Sequence, residues 1–162
     1  MFGTSGIRGP VGEDVTGELA LSVGRAVGVD ADRVVVGRDA RESGRLLVDA
    51  FTAGLRESGT DVVDLGLAAT PTVARSVGAE DADAGVSVTA SHNPAPDNGI
   101  KLWQPSGQAF DAADRERIAQ RVRDGVTDLE AWDGIGERAG ADARERHAEA
   151  ITEAVENAGI VD

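Results

Sequence analysis

The chain has 162 residues, 41% of them hydrophobic, and contains no cysteine. This length fits one domain, the hydrophobic content is too high for a disordered protein, and the lack of cysteine excludes disulfide scaffolds, cysteine-bound zinc and thiol catalysis. The 29 acidic and 16 basic residues give a net charge of −13, which disfavours nucleic acids and anionic membranes as partners because both are negatively charged.

The charged and apolar residues give two further expectations. Of the 16 basic residues only Lys101 is a lysine, and an acidic surface with almost no lysine is typical of proteins adapted to high salt. A codon bias toward arginine is the alternative explanation. No apolar run approaches about 18 residues, and the N-terminus lacks the apolar core of a signal peptide, so we expect a cytoplasmic protein.

The apolar pattern alternates between strands and helices along the chain. Four segments predict strands: 34–36, 61–66, 84–90 and 98–103. Five segments predict helices: 16–28, a helix between Ser43 and Gly59, 70–78, 111–124 and 141–158. Thr16 and Ser43 are the expected N-caps of the first two helices. Glycine and acidic residues around Trp132 predict a linker over 125–140.

Short connections between alternating strands and helices favour a mostly parallel sheet covered by helices. The connection from 84–90 to 98–103 has seven residues, which is too short for a helical crossover, so the last of these strands is expected to run antiparallel. The sequence therefore predicts an α/β fold, a three-layer α/β/α sandwich with a four-stranded mixed sheet, as one domain over 1–162.

The polar stretch TASHNPAPDNG, 89–99, follows a buried strand directly, where α/β sheets place their binding sites. Ser91 is a candidate nucleophile or phosphate carrier, and His92 beside it is a candidate for proton transfer. The prolines stiffen the loop and so fix the serine hydroxyl. Taken alone, these residues fit a hydrogen-bonded turn equally well.

The stretch GTSGIRG, 3–9, spaces three glycines so that the backbone can approach a ligand closely. Thr4 and Ser5 offer hydroxyls, and Arg8 offers a guanidinium fork for phosphate. The spacing matches no nucleotide-binding motif. A flexible, glycine-rich entry to a strand is the alternative.

The stretch GRDARESG, 37–44, also follows a buried strand and is expected at the same sheet edge. We interpret Arg38, Asp39 and Arg41 mainly as an internal charge cluster rather than as residues with direct chemistry. Lys101 is instead a candidate for direct chemistry. Lysine has a compact ammonium group whose pKa can be shifted by its surroundings, whereas arginine stays charged.

Taken in order, FGTSGIRG, GRDARESG, TPTVA and VTASHNPAPDNGIKLW resemble the α-D-phosphohexomutase superfamily, the phosphoglucomutases and phosphomannomutases. The resemblance runs from Phe2 to Trp103 and implies the N-terminal domain I only. The Asp-rich metal loop, the sugar-selecting segment and the later phosphate clamp of the family have no counterpart in the chain, so we expect the remaining domains to be its partners.

The resemblance also implies roles for individual residues. Ser91 would be a phosphoserine that gives its phosphoryl group to a hexose monophosphate substrate, forming a hexose 1,6-bisphosphate, and Mg²⁺ would bind through that phosphate. Arg8 and Lys101 would surround the phosphate, and His92 and Lys101 would transfer protons. The loop would be lined by Thr4, Ser5 and Asn93.

Three alternatives stay open beside this hypothesis. A phosphoglucosamine mutase shares the serine motif, although GTSG rather than GTDG in the first motif disfavours it. A single-domain binding protein without the catalytic domains is the second alternative. A phosphatase using Ser91 is the third, disfavoured by the lack of other metal ligands. In each mutase hypothesis the isolated chain is expected to be inactive.

Overall fold

The computed structural model describes residue 3 and residues 6–159. The strands among these residues are β1 Ile7–Pro10, β2 Arg33–Arg38, β3 Asp61–Leu67, β4 Ala84–Val88, β5 Asp97–Trp103 and β6 Arg138–Gly140. The helices are α1 Gly17–Gly28, α2 Gly44–Glu57, α3 Thr70–Ala79, α4 Ala112–Asp124 and α5 Arg144–Asn157. No helix in this described part of the chain is long and apolar enough to cross a membrane.

All the described strands form one mixed sheet in the order β1-β5-β4-β2-β3-β6. β4, β2, β3 and β6 run parallel, whereas β5 is antiparallel to both β4 and β1. The predicted reversal between β4 and β5 is therefore confirmed. The prediction of four strands is wrong, because the sheet has six.

The two strands that the sequence pattern missed lie at the edges of the sheet. β1 has only four residues and ends at Pro10, and an edge strand tolerates proline because one side needs no ladder hydrogen bond. β6 has three residues, all exposed, so it carries no hydrophobic pattern. Both strands are defined by pairing with a longer neighbour rather than by their own sequence.

Helices cover both faces of the sheet, which confirms the three layers. On one face, Val34, Val36, Val86 and Ile100 pack in a core cluster with residues of α1, α2 and α4. On the other face a smaller cluster joins β2 and β3 to α3 and to Trp103 of β5. The central strands are buried on both sides, which explains their continuous apolar runs.

Glycines lie at the contact between α1 and α2. A side chain at Gly24 of α1 would collide with the carbonyl of Phe51 in α2, and one at Gly54 of α2 would collide with the carbonyl of Leu21 in α1. The two glycines thus allow the helices to pack backbone against backbone. Thr16 caps α1 as predicted, since its hydroxyl accepts a hydrogen bond from the Leu19 amide at 3.1 Å.

The segment predicted as a linker, 125–140, is instead docked on the domain. Arg56 of α2 donates to the Gly136 carbonyl at 2.7 Å, and the Gly136 amide donates back to the Arg56 carbonyl at 3.0 Å. Arg138 in β6 pairs with Asp64 at 2.6 Å and with Asp49 at 3.0 Å. Pairing along β3 is therefore what orders this polar stretch.

Candidate active site at the carboxyl ends of β2 and β4

The candidate site lies where β2 and β4 end, at one edge of the sheet. The loop after β4, which we call the serine loop (residues 89–97), faces the loop after β2 across an open pocket of about 840 Å³. Asp39, Arg41 and Ser43 line the pocket from one side, and Ser91 and Asn93 line it from the other. The prediction that the stretches 37–44 and 89–99 lie at the same edge of the sheet is thus confirmed.

Ser91 is exposed at the turn of the serine loop. Its backbone φ is +57°, a left-handed conformation that is uncommon for residues other than glycine. Its Oγ lies 3.4 Å from Nδ1 of His92, a long hydrogen bond within reach of proton exchange. The structure therefore brings together the hydroxyl and the imidazole that the sequence singled out.

Thr89 and Asp39 fix the backbone just before Ser91. The Thr89 hydroxyl donates to the Asp39 carboxylate at 2.7 Å and accepts from the Ser91 amide at 2.9 Å. The serine loop is therefore tied to the loop after β2 through a charge-assisted hydrogen bond.

Arg8 and Asn93 also meet in the site. Nη1 of Arg8 donates to Oδ1 of Asn93 at 3.2 Å, and Nδ2 of Asn93 donates to Asp97 at 2.8 Å. Arg8 lies in β1, two strands away from β4, so the edge strand missed by the sequence pattern is what delivers this guanidinium to the loop.

Lys101 lies in β5 on the same face of the sheet as Arg8. Their neighbours Ile7 and Ile100 pair directly and both belong to the core on the opposite face, and side chains alternate along strands. The Lys101 ammonium packs over the Trp103 ring. Among the described residues, the hydrogen bonds of Ser91 do not include Lys101.

Thr4 and Ser5, the remaining predicted site residues, lie outside the described residues. Gly3 and Gly6 on either side are joined by two backbone hydrogen bonds of 2.9 and 3.2 Å. Gly6 has a φ of +96°, and a side chain there would collide with the Ile100 carbonyl of β5. Gly6 therefore lets the first motif approach the strand that carries Lys101.

Two polar residues of the second motif act differently from the sequence interpretation. Ser43 precedes α2, but its hydroxyl accepts from Asn98 at 2.9 Å rather than capping the helix. Arg41 pairs with Asp39 as expected, but it also reaches across to the backbone of the serine loop. No sequence pattern signals this second contact, because its acceptors are backbone carbonyls that every residue carries.

The family model described as phosphoglucomutase/phosphomannomutase, alpha/beta/alpha domain I, matches residues 1–127. The chain belongs to this family. A probable phosphoglucosamine mutase of Pyrococcus abyssi is 47% identical over 93% of this chain and 34% of its own length. The phosphoglucosamine mutase of Mycobacterium sp. (strain KMS) is 44% identical over 96% of this chain and 37% of its own length.

Solved structures agree with this family assignment. A phosphoglucomutase/phosphomannomutase family protein from Burkholderia thailandensis matches 91% of this chain with a TM-score of 0.78 and 33% identity. The match covers 34% of that protein. The chain thus spans about a third of the length of the relatives it matches.

Phosphohexomutases generally use Mg²⁺, so the described residues can be tested for a place to hold it. No group of three or more His, Asp or Glu side chains among them could hold a metal ion. Side chains within the described part of the chain therefore do not form a magnesium site by themselves.

Proposed function

We propose that this chain is the phosphoryl-carrying domain of a phosphohexomutase, with Ser91 as the residue that holds the phosphoryl group. The observation that carries the proposal is the Ser91 hydroxyl, exposed at the mouth of the pocket on a loop fixed by hydrogen bonds. Family membership supports the reaction class. The whole reaction then belongs to a longer protein, because relatives are about three times the length of this chain.

The proposed reaction transfers one phosphoryl group from Ser91 to the substrate and then a second one from the bisphosphate back to Ser91. The bond between phosphorus and Ser91 Oγ breaks as a hydroxyl oxygen of the hexose monophosphate forms a new bond to phosphorus, giving a hexose 1,6-bisphosphate. The hydroxyl proton passes to a base of the enzyme, and Ser91 Oγ takes up a proton as it leaves phosphorus. After the bisphosphate turns around, its other phosphoryl group returns to Ser91 Oγ, which loses its proton as the sugar oxygen gains one, and the product is the isomeric monophosphate.

The residues of this chain have separate roles in that transfer. His92, 3.4 Å from the serine hydroxyl, exchanges the proton, and Lys101 is the second candidate for this role. Arg8 and Lys101 supply positive charge toward the phosphate, and positioning with charge neutralisation is most of what phosphoryl transfer requires. Asn93 links Arg8 to the loop. Thr4 and Ser5 remain candidate phosphate-binding residues on the family resemblance alone. Mg²⁺ supplies further charge neutralisation, with its protein ligands expected from the remaining domains.

The substrate is a hexose phosphate, for which two sugar classes are candidates. The sequence motifs favour glucose or mannose phosphates. Glucosamine phosphates are the second candidate, supported by relatives that are 47% and 44% identical and carry the name phosphoglucosamine mutase. The segment that selects the sugar lies outside this chain in the family pattern. The cytoplasmic location stays an expectation, in keeping with a hexose phosphate substrate.

One comparison tests both the reaction and the substrate. The longer protein that contains this chain is assayed on the 1-phosphates of glucose, mannose and glucosamine, each with the matching 1,6-bisphosphate as primer. We expect conversion of at least one to its 6-phosphate, lost on Ser91→Ala. Phosphate release without isomerisation would instead favour the phosphatase, and binding without turnover would favour a non-catalytic domain.

A further inference from the structure

Arg41, in the loop after β2, makes a dense set of contacts with the serine loop. Its guanidinium donates to four backbone carbonyl oxygens there: those of Ser91 at 3.1 Å, Asn93 at 2.7 Å, Pro94 at 2.7 Å and Asp97 at 3.0 Å. Its Nε donates to the Asp39 carboxylate at 3.2 Å. Arginine has five N–H donors, so the side chain uses its full donor capacity within the site.

Asp39 completes the arrangement from the other side. Its carboxylate also accepts from the Arg41 amide at 3.0 Å and from the Thr89 hydroxyl at 2.7 Å. Thr89 in turn accepts from the Ser91 amide. The N–H of Ser91 is thus held through Thr89 and Asp39, and its C=O is held by Arg41. We call these two side chains the Arg41–Asp39 clamp.

The clamp acts at a residue whose backbone conformation is unfavourable by itself. A left-handed conformation is unfavourable for a residue other than glycine, and such conformations persist only where surrounding contacts enforce them. Ser91 has this conformation with a φ of +57°. Two sets of contacts enforce it. Arg41 donates five hydrogen bonds, four of them to carbonyls of the serine loop, and the Ser91 amide donates one to the Thr89 hydroxyl.

We propose that Arg41, oriented by Asp39, is a positioning residue for phosphoryl transfer, holding Ser91 in the left-handed conformation that presents its Oγ to the pocket. This inference rests on the proposed function. Arg41 acts through the backbone of Ser91 rather than on the substrate. Lysine cannot replace it, because an ammonium is a single point with three donors and lacks the planar fork that spans several carbonyls.

The first test measures the loop in this chain itself. Amide hydrogen exchange is compared between wild type, Arg41→Lys and Arg121→Lys. Arg121 is the matched control, since it makes two hydrogen bonds to Asp30 and one to the Ala26 carbonyl. These partners precede the start of β2, whereas the serine loop lies at the other end of that strand. We expect the amides of Ser91, Asn93 and Asp97 to exchange about tenfold faster in Arg41→Lys and within about twofold of wild type in Arg121→Lys.

A second pair of variants keeps the test valid if Arg41→Lys does not fold. Thr89→Val removes the hydroxyl between Asp39 and the Ser91 amide while keeping the side-chain shape, and Thr89→Ser keeps the hydroxyl. We expect fast loop exchange in Thr89→Val and near wild-type exchange in Thr89→Ser. Wild-type exchange in either Arg41→Lys or Thr89→Val would overturn the clamp.

Kinetics of the longer protein then separate positioning from general stability. We expect Arg41→Lys to lower kcat about 100-fold with KM within about threefold, because a displaced nucleophile reacts poorly even when substrate binds normally. Arg121→Lys should keep the wild-type kcat. A wild-type kcat in Arg41→Lys would overturn the inference. If the wild-type longer protein has no mutase activity, the proposed function fails, whereas the exchange data still decide whether Arg41 fixes Ser91.

Discussion

The ammonium group of Lys101 lies 4.3 Å from the centroid of the Trp103 ring. The ring itself is held in place, because its indole N–H donates to the Ser87 hydroxyl at 2.9 Å. A cation over an indole face is attracted electrostatically to the ring. Lys101 therefore has a structural contact in addition to the phosphate and proton-transfer roles proposed for it.

Lys101→Arg separates these roles. Arginine stacks on an indole as well as lysine does, so a purely structural contact would survive the change. If Lys101 serves the phosphate or a proton, arginine fails because it is wider and cannot lose a proton near neutral pH. We expect at least about a 100-fold loss of turnover in the longer protein, measured in molar salt, with an unchanged melting temperature. Wild-type turnover would leave Lys101 with the Trp103 contact alone.

Ser91→Ala should abolish phosphate loading. Thr89 is the nearest competing hydroxyl, but it already donates to Asp39 and accepts from the Ser91 amide, so it is not available as a nucleophile. The measurement is intact-protein mass spectrometry of the longer protein after incubation with a hexose 1,6-bisphosphate. Phosphate retained on Thr89 in the variant would contradict the assignment of Ser91.

The 162-residue chain alone should show no mutase activity. The described residues contain no group of three or more acidic or histidine side chains that could hold a metal ion, and the chain spans about a third of the length of its relatives. Single preorganised groups are each worth about 10²–10³ in rate, so losing several should remove far more than about 10³. The check is a coupled assay on glucose 1-phosphate. A rate within about tenfold of the longer protein would refute this prediction.

Acid should weaken the contact between α4 and the end of α1. A hydrogen bond from Arg121 lowers the pKa of Asp30, and partial burial opposes this without cancelling it. Because the folded pKa lies below the unfolded value, the stabilisation is complete above about pH 5 and is lost as pH falls through the folded pKa. Asp30→Asn should therefore melt at a lower temperature than wild type at pH 7, and this difference should be smaller at pH 3.

The control for this experiment removes the same charge elsewhere. Asp128 is exposed and forms no ion pair with any residue that the structure describes, so Asp128→Asn reports only the change in net charge. Melting curves by circular dichroism at pH 7 and pH 3 compare the two variants. Asp30 also pairs with Arg117 at 3.3 Å, so equal melting temperatures of both variants at pH 7 would show that the ion pairs of Asp30 with Arg121 and Arg117 add nothing to stability.

Salt should stabilise the domain. With a net charge of −13, self-repulsion destabilises the folded state at low ionic strength, and added ions screen it. We expect the melting temperature to rise between low and molar KCl. The exposed ion pairs oppose this trend because salt weakens them, so an unchanged or lower melting temperature would count against adaptation to high salt.

The parts that sequence reasoning predicted well are those in which residue type encodes the structure. Val34, Val35 and Val36 form a continuous apolar run that must be buried on both faces of a sheet, and this run predicts the central strand β2. The serine loop stood out because hydroxyl, imidazole and prolines occur together. Neither β6 nor the hydrogen bonds of Arg41 to the serine loop were predictable in this way. β6 is exposed and polar, and Arg41 binds carbonyl groups, so both depend on pairing across the fold rather than on local composition.

The docked segment 125–140 has a consequence for where this domain can be divided. β6 pairs along β3 with Val62, Val63 and Asp64, and the carbonyl of Glu137 accepts from the Val62 amide at 2.8 Å. A fragment ending at residue 127 would leave this row of β3 backbone groups bare, and unpaired strand edges recruit strands from other molecules. The polar stretch after α4 therefore replaces a seven-residue edge at β3 with a three-residue, exposed edge at β6, and a short polar edge pairs less readily with a neighbouring copy.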